Sequence, residues 1–198
     1  MGMITSLEPN WYKLLKDGRR DFFDSIKEID FEVYKLFIDA ELDDQSVETF
    51  SWWAYLETLA HNDNWEKRKI GIKGEHKSYE YEKGVLEKLK ISNKSPEAVS
   101  IENPDAGYDL LSWRKNNNDE LYNIYIESKY NSQGNRNFYL SRNEFNKCIH
   151  ESENYFVYLW NNEDQEEPHI YNHEEIVANT PTDQGGSTWK QTFIDLEQ

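Results

Sequence analysis

The sequence predicts an α+β protein, a mixed central sheet flanked by helices, preceded by a wholly helical N-terminal region. Three observations predict it. Apolar residues recur at helical spacing up to about residue 70. The periodicity then shortens to that of strands between Tyr108 and Tyr130. An apolar run, Tyr155-Phe156-Val157-Tyr158-Leu159-Trp160, reads as a buried strand near the end of the chain.

In the N-terminal region Trp11, Leu14 and Leu15 precede a break at Gly18. Phe22, Phe23, Ile26 and Ile29 then share a stripe, followed by Phe31, Tyr34, Leu36 and Phe37. Beyond the acidic break Asp43-Asp44, Val47, Phe50, Trp53, Leu56 and Leu59 form another. Stripes of this kind bury one helix face against a neighbour. Residues 1–72 are therefore expected to be a helical unit for docking a protein partner or a second copy. From Gly74 the texture changes. Tyr79, Glu82, Val85, Leu86 and Leu89 predict a helix over about 75–90, and Ala98–Ile101 a short strand. Lys115-Asn116-Asn117-Asn118-Asp119 is turn chemistry, because Asn and Asp accept left-handed backbone and bond locally. It joins strands at 108–113 and 121–130 into an antiparallel hairpin. Ser141-Arg142-Asn143-Glu144 has the pattern of a capping box, which starts a helix. The second unit is expected over 73–178, with 179–198 as a tail whose Asp183–Thr188 segment forms a turn.

Composition narrows the function. With 15% aromatic residues and seven Trp among 198, the chain can build a core despite 30% charged residues. The single Cys148 excludes an intramolecular disulfide framework and fits a reducing compartment. No apolar run reaches membrane-spanning length, and a cytoplasmic protein without a membrane partner is expected. Met1–Ser6 matches a short myristoylation pattern, but no basic residues follow it. The net charge of −16 opposes the usual grip on nucleic acid, which rests on Lys and Arg neutralising phosphates. Either a divalent metal or a basic partner offsets it, or the protein is an acidic DNA mimic.

Alternation on the 121–130 strand sets Ile124, Ile126 and Ser128 on one face and Tyr125, Glu127 and Lys129 on the other. Asp109 lies on the preceding strand, opposite in face to Leu110. A register that brings Asp109 to Glu127 gathers two carboxylates and an ammonium. Two carboxylates with a backbone carbonyl suffice for Mg²⁺, which takes oxygen ligands and retains water. Glu82 shares the packed stripe of its helix, where a carboxylate needs a partner or a metal. Glu75, seven residues earlier, competes with it. His169 and His173 are four apart, but with no third ligand nearby they read as surface histidines. The Asp183–Thr188 segment lacks the lysine of a phosphate-binding loop.

These residues carry a resemblance. Asp109 followed by Glu127-Ser128-Lys129 resembles the PD-(D/E)XK nuclease pattern. Residues 74–160 are similar to the NO VEIN C-terminal domain family, also found in prokaryotic restriction and phage-defence proteins. The matching pieces fall in the family's order: Gly74-Glu75 with Glu82, Gly107–Ser112, Ile126–Lys129, Phe138–Glu144 and Tyr155–Trp160. Ser128 departs from the family, which usually has an apolar residue there, and the residues before Asp109 differ in detail. The resemblance implies a restriction-endonuclease-like core. It also implies Mg²⁺- or Mn²⁺-dependent hydrolysis of nucleic acid, DNA above all, in a restriction or anti-phage system. Asp109, Glu127, Lys129 and Glu82 would be catalytic. Asp109, Glu127 and the backbone carbonyl of Ser128 would hold the metal, with Glu75, Ser141, Asn143 and Glu144 in support. A catalytically silent scaffold subunit and the DNA mimic are the alternatives.

Overall fold

The computed structural model describes residues 9–44, 46–61, 65–183 and 188–196. The Met1–Ser6 pattern and most of the Asp183–Thr188 turn lie outside them. The chain divides into two compact units. One runs to Ile72 and takes in Ser100–Pro104, and the other comprises Lys73–Val99 and the chain from Asp105.

The first unit is helical. A 3-10 turn, Asn10–Asp17, leads into α1 (Arg19–Ile29), α2 (Phe31–Asp39) and α3 (Val47–His61). Asp30 starts α2 by accepting the Val33 N–H at 3.1 Å, which satisfies an otherwise orphaned donor. The stripe aromatics do the packing. Phe22 lies 5.0 Å from Phe37 and 5.2 Å from Trp53 between ring centroids, and the Trp53 indole donates to the Leu42 carbonyl. The side chains of Val47 and Leu59 lie outside the described set. Arg19 is buried, held by Glu102 and by the carbonyl of Asp44. Ile29, Phe31 and Leu36 are exposed, an apolar surface on the unit expected to dock a partner.

The second unit is a mixed α+β domain. Its five-stranded sheet has the order β1 (Glu97–Ala98), β2 (Leu110–Lys115), β3 (Leu121–Tyr130), β5 (Tyr155–Trp160), β6 (His169–Asn172). β3 and β5 are parallel and the other pairs antiparallel. The expected hairpin is β2–β3, with Asn116 accepting the N–H groups of Asn118 and Glu120, and Asp119 at φ 63°. The part of helix α4 (Trp65–Lys88) from Lys73 on covers one sheet face through Ser78 and Glu82, and α6 (Arg142–Glu151) packs on the other, with α7 (His173–Ala178) beside it.

Three expectations are corrected. The strand expected over Ala98–Ile101 is only Glu97–Ala98, after which Val99–Glu102 forms the short helix α5. Between the hairpin and the capping box, where the sequence suggested no element, lies a strand, β4 (Asn137–Ser141). The last residues are more than a tail: β7 (Gln191–Asp195) pairs with β4 in a second, two-stranded sheet. Ile194 there joins the core around Phe138, Leu140, Tyr155 and Leu159, and this burial fixes the segment. His169 opens β6 and His173 opens α7, so the two do not share a helical turn.

Candidate functional site

Register decides which side chains meet. Leu110 stands opposite Ile126 and Leu111 opposite Tyr125, while Glu127 pairs with Val157 and Lys129 with Leu159. Laterally paired residues share a face, so Glu127 and Lys129, with Val157 and Leu159, project toward the side carrying α6. Leu110, Ser112, Arg114, Ile126 and Ser128 project toward α4.

Asp109 sits at the point where β2 leaves the ladder. Its N–H donates to the Ile126 carbonyl at 2.9 Å, so Asp109 and Leu110 together oppose one residue of β3, as in a β-bulge. Its carbonyl accepts the Val99 N–H at 2.7 Å. Its carboxylate takes the Ser128 N–H at 2.8 Å and so continues the ladder where backbone no longer can. The N–H and C=O of an antiparallel residue open on one edge, which places the Ser128 carbonyl on the Asp109 side.

Lys129 is the hub. Its Nζ lies 2.8 Å from Glu127 and 2.9 Å from Glu144. Glu144 also closes the capping box at the start of α6: it accepts the Ser141 N–H at 2.9 Å, and its own N–H donates to the Ser141 hydroxyl. One side chain thereby starts the helix and fixes the ammonium. Glu127 is only 5% exposed. Burial lifts its carboxyl well above the ordinary 4.5, and the charges of Asp109 and Glu144 add to this against the pull of Lys129. Burial opposes charge on Lys129, but Glu127 and Glu144 outweigh it and raise the ammonium above its ordinary value. At Glu144 burial is outweighed by Lys129 and the Ser141 N–H, and the carboxyl is lowered.

Around this group lie residues that sequence reasoning did not single out. Lys147, one turn beyond Glu144, sits 5.0 Å from the Tyr108 ring centroid and 4.4 Å from that of Tyr125, and pairs with Glu151. The Tyr155 hydroxyl donates to the Gly107 carbonyl. Burial first, then the nearby carboxylates, hold that phenol well above its ordinary value and so protonated. Burial likewise pushes the Cys148 thiol up to about 12, which makes it an inert core residue. Asn143, expected in support, donates to the Asp105 carbonyl at 2.9 Å.

Glu82 is not brought to this group, a correction. It is fully buried on the opposite sheet face, where Arg114 grips both carboxylate oxygens at 2.7 Å and the Tyr158 hydroxyl adds a bond at 2.8 Å. A carboxylate on a packed stripe needed a partner, and β2 supplied one. Alternation was the signal that could have found Arg114, which shares the face of Ile124 and Ile126. Glu75 is also buried on α4. Ser128, where the family usually has an apolar residue, bonds Ser78 at 2.8 Å, and Ser78 accepts the Trp160 indole N–H. Among the described residues, no three His, Cys, Asp or Glu side chains form a group able to hold a metal by themselves.

The model of the family described as protein NO VEIN, C-terminal, matches residues 74–172, half of the chain. The chain belongs to this family. Asp109, Glu127, Lys129 and Glu144 all fall within the NO VEIN C-terminal match, as do Glu75 and Glu82. No curated protein and no solved structure matches the chain. Among the described residues, no helix is long and apolar enough to cross a membrane.

Proposed function

We propose that the NO VEIN C-terminal domain of this chain is a metal-dependent nuclease with a restriction-endonuclease-like core. It hydrolyses nucleic-acid phosphodiesters, DNA above all, in a restriction or anti-phage setting. One observation carries the reading: in a buried place the Lys129 ammonium is braced by Glu127 and Glu144, and the Asp109 carboxylate is held on the Ser128 N–H between those two residues of the strand. Carboxylates gathered where burial makes their charge costly suit a site completed by a cation.

The donors fit Mg²⁺ or Mn²⁺. The Asp109 and Glu127 carboxylates and the Ser128 carbonyl are hard oxygen ligands, and such ions retain several waters, so two carboxylates and a carbonyl suffice. A bound divalent ion supplies a polarised phosphate and an acidified water. The chain's own residues do the rest. Lys129, held from two sides, is aimed to orient an attacking water or to stabilise charge on the phosphoryl oxygens. Glu144 keeps it there through the helix start. The acidity of the chain predicts weak, strongly salt-dependent binding of DNA unless a basic partner assists. The DNA-mimic alternative is disfavoured by Glu127, whose buried carboxylate faces a lysine, because a mimic displays its carboxylates on an outer surface.

The test incubates the protein with Mg²⁺ or Mn²⁺ and single- and double-stranded DNA and RNA. Asp109→Ala and Lys129→Ala are each expected to lose about 100-fold or more of the cleavage rate. Equal cleavage by wild type and both variants would remove the assignment.

A further inference from the structure

Asp109 owes its place to the segment that delivers it, and that segment is unusual. Gly107 turns in the left-handed region at φ 76°, and a Cβ built there would lie 3.0 Å from the Asn143 carbonyl oxygen and from the Lys147 Cβ. The backbone at Gly107 is therefore pressed against α6, and only glycine combines that contact with that φ at little cost. A buried backbone carbonyl in such a turn needs a donor from outside its own ladder. The Tyr155 Oη supplies it at 3.1 Å across 48 residues of sequence.

Tyr155 is fully buried at the start of β5, packed with Cys148, Val157 and Leu159, and in register with Tyr125 on β3. Core packing thus fixes where its hydroxyl stands. We infer that Tyr155 is a positioning residue for Asp109: its hydroxyl, through the Gly107 carbonyl, holds the Gly107–Asp109 segment so that the Asp109 carboxylate meets the Ser128 N–H. The significance of this for metal binding rests on the proposed function, but the positioning itself does not.

Positioning has a direct reporter. The Ser128 N–H has Asp109 Oδ2 as its acceptor, whereas Ile124, four residues back on the same strand, pairs with Ser112 in the middle of the hairpin. The ratio of amide hydrogen-exchange rates at Ser128 and Ile124, taken without metal, reads the placement of Asp109 separately from the stability of the sheet. In Tyr155→Phe, which keeps the ring and removes the hydroxyl, that ratio is expected to rise about tenfold, with Mn²⁺ affinity by calorimetry weakened about tenfold. Val157→Ala is the control. It loosens the same core on the same strand and is expected to lower the melting temperature while leaving the ratio unchanged. An unchanged ratio in Tyr155→Phe, or an equal rise in Val157→Ala, overturns the inference. A raised ratio in Tyr155→Phe alone, in a protein that binds no Mn²⁺, upholds the positioning and removes the metal site instead.

Discussion

The two faces of the central sheet each hold a buried carboxylate, and the contrast between them separates architecture from chemistry. On the α4 face, Glu82 meets one cation, Arg114, in a two-pronged grip completed by Tyr158. Burial alone would lower the guanidinium's value, but Glu82 more than restores it. Within this pair charge is balanced, one carboxylate to one guanidinium. On the α6 face, Glu127 shares Lys129 with Glu144 and lies under the repulsion of Asp109. Carboxylates crowd together there, in a place with little water to screen them. Two carboxylates that look alike in a list of acidic residues thus have opposite relations to stability. The first ties α4 to the sheet, and the second carries a charge that burial and its acidic neighbours disfavour.

The sharpest way to break this comparison is Arg114→Met. It leaves Glu82 buried without its cation and is expected to cost about 3 kcal/mol of unfolding free energy, read by urea denaturation. A loss within about 0.5 kcal/mol would mean that Glu82 is not an anchor.

Glu127→Gln should do the reverse. The raised value at Glu127 means that the native protein keeps a proton at pH values where the unfolded chain has released it. Stability therefore falls as pH rises from the ordinary 4.5 toward the folded value. Glu144 runs the other way: its contribution is complete above 4.5 and is lost as pH falls through its lowered folded value. The glutamine variant removes only the first slope. It should gain on the wild type as pH is raised, while losing cleavage. Denaturation at about pH 5 and about pH 8 measures the gap, and a variant less stable than wild type at the higher pH would show that the Lys129 pair outweighs the repulsion.

The smallest effect is expected at Ser128→Ala. Ser128 stands on the α4 face, where a Cβ at Gly74 would lie 3.2 Å from its hydroxyl, so helix and strand are in close contact. Losing the bond to Ser78 should cost about 1 kcal/mol or less, since Ser78 keeps the Trp160 indole as a partner. The cleavage rate should stay within about twofold, because only the side chain changes and the backbone carbonyl toward Asp109 remains. A large loss of activity would show that the two faces are coupled.

Much of this was legible in the chain itself. Strand alternation alone divided Glu127 and Lys129 from Ile126 and Ser128, because successive side chains point to opposite faces whatever the surroundings. The Asn-rich turn set the hairpin, and Ser141 with Glu144 announced the start of α6, since both signals act over three or four residues. What the sequence left open was every pairing across long separations. Nothing local says that Glu82 meets Arg114, that Glu144 meets Lys129, or that residues 191–195 return to pair with β4. A short strand such as β7 has too little pattern of its own and is fixed by the core that buries Ile194. The chain determined which groups carry charge and which way each strand presents them, because those follow from covalent geometry. Only the tertiary structure decided which charges are paired and which are crowded together, because burial and distance set the energy of a charge, and both arise from the packing of segments far apart in sequence.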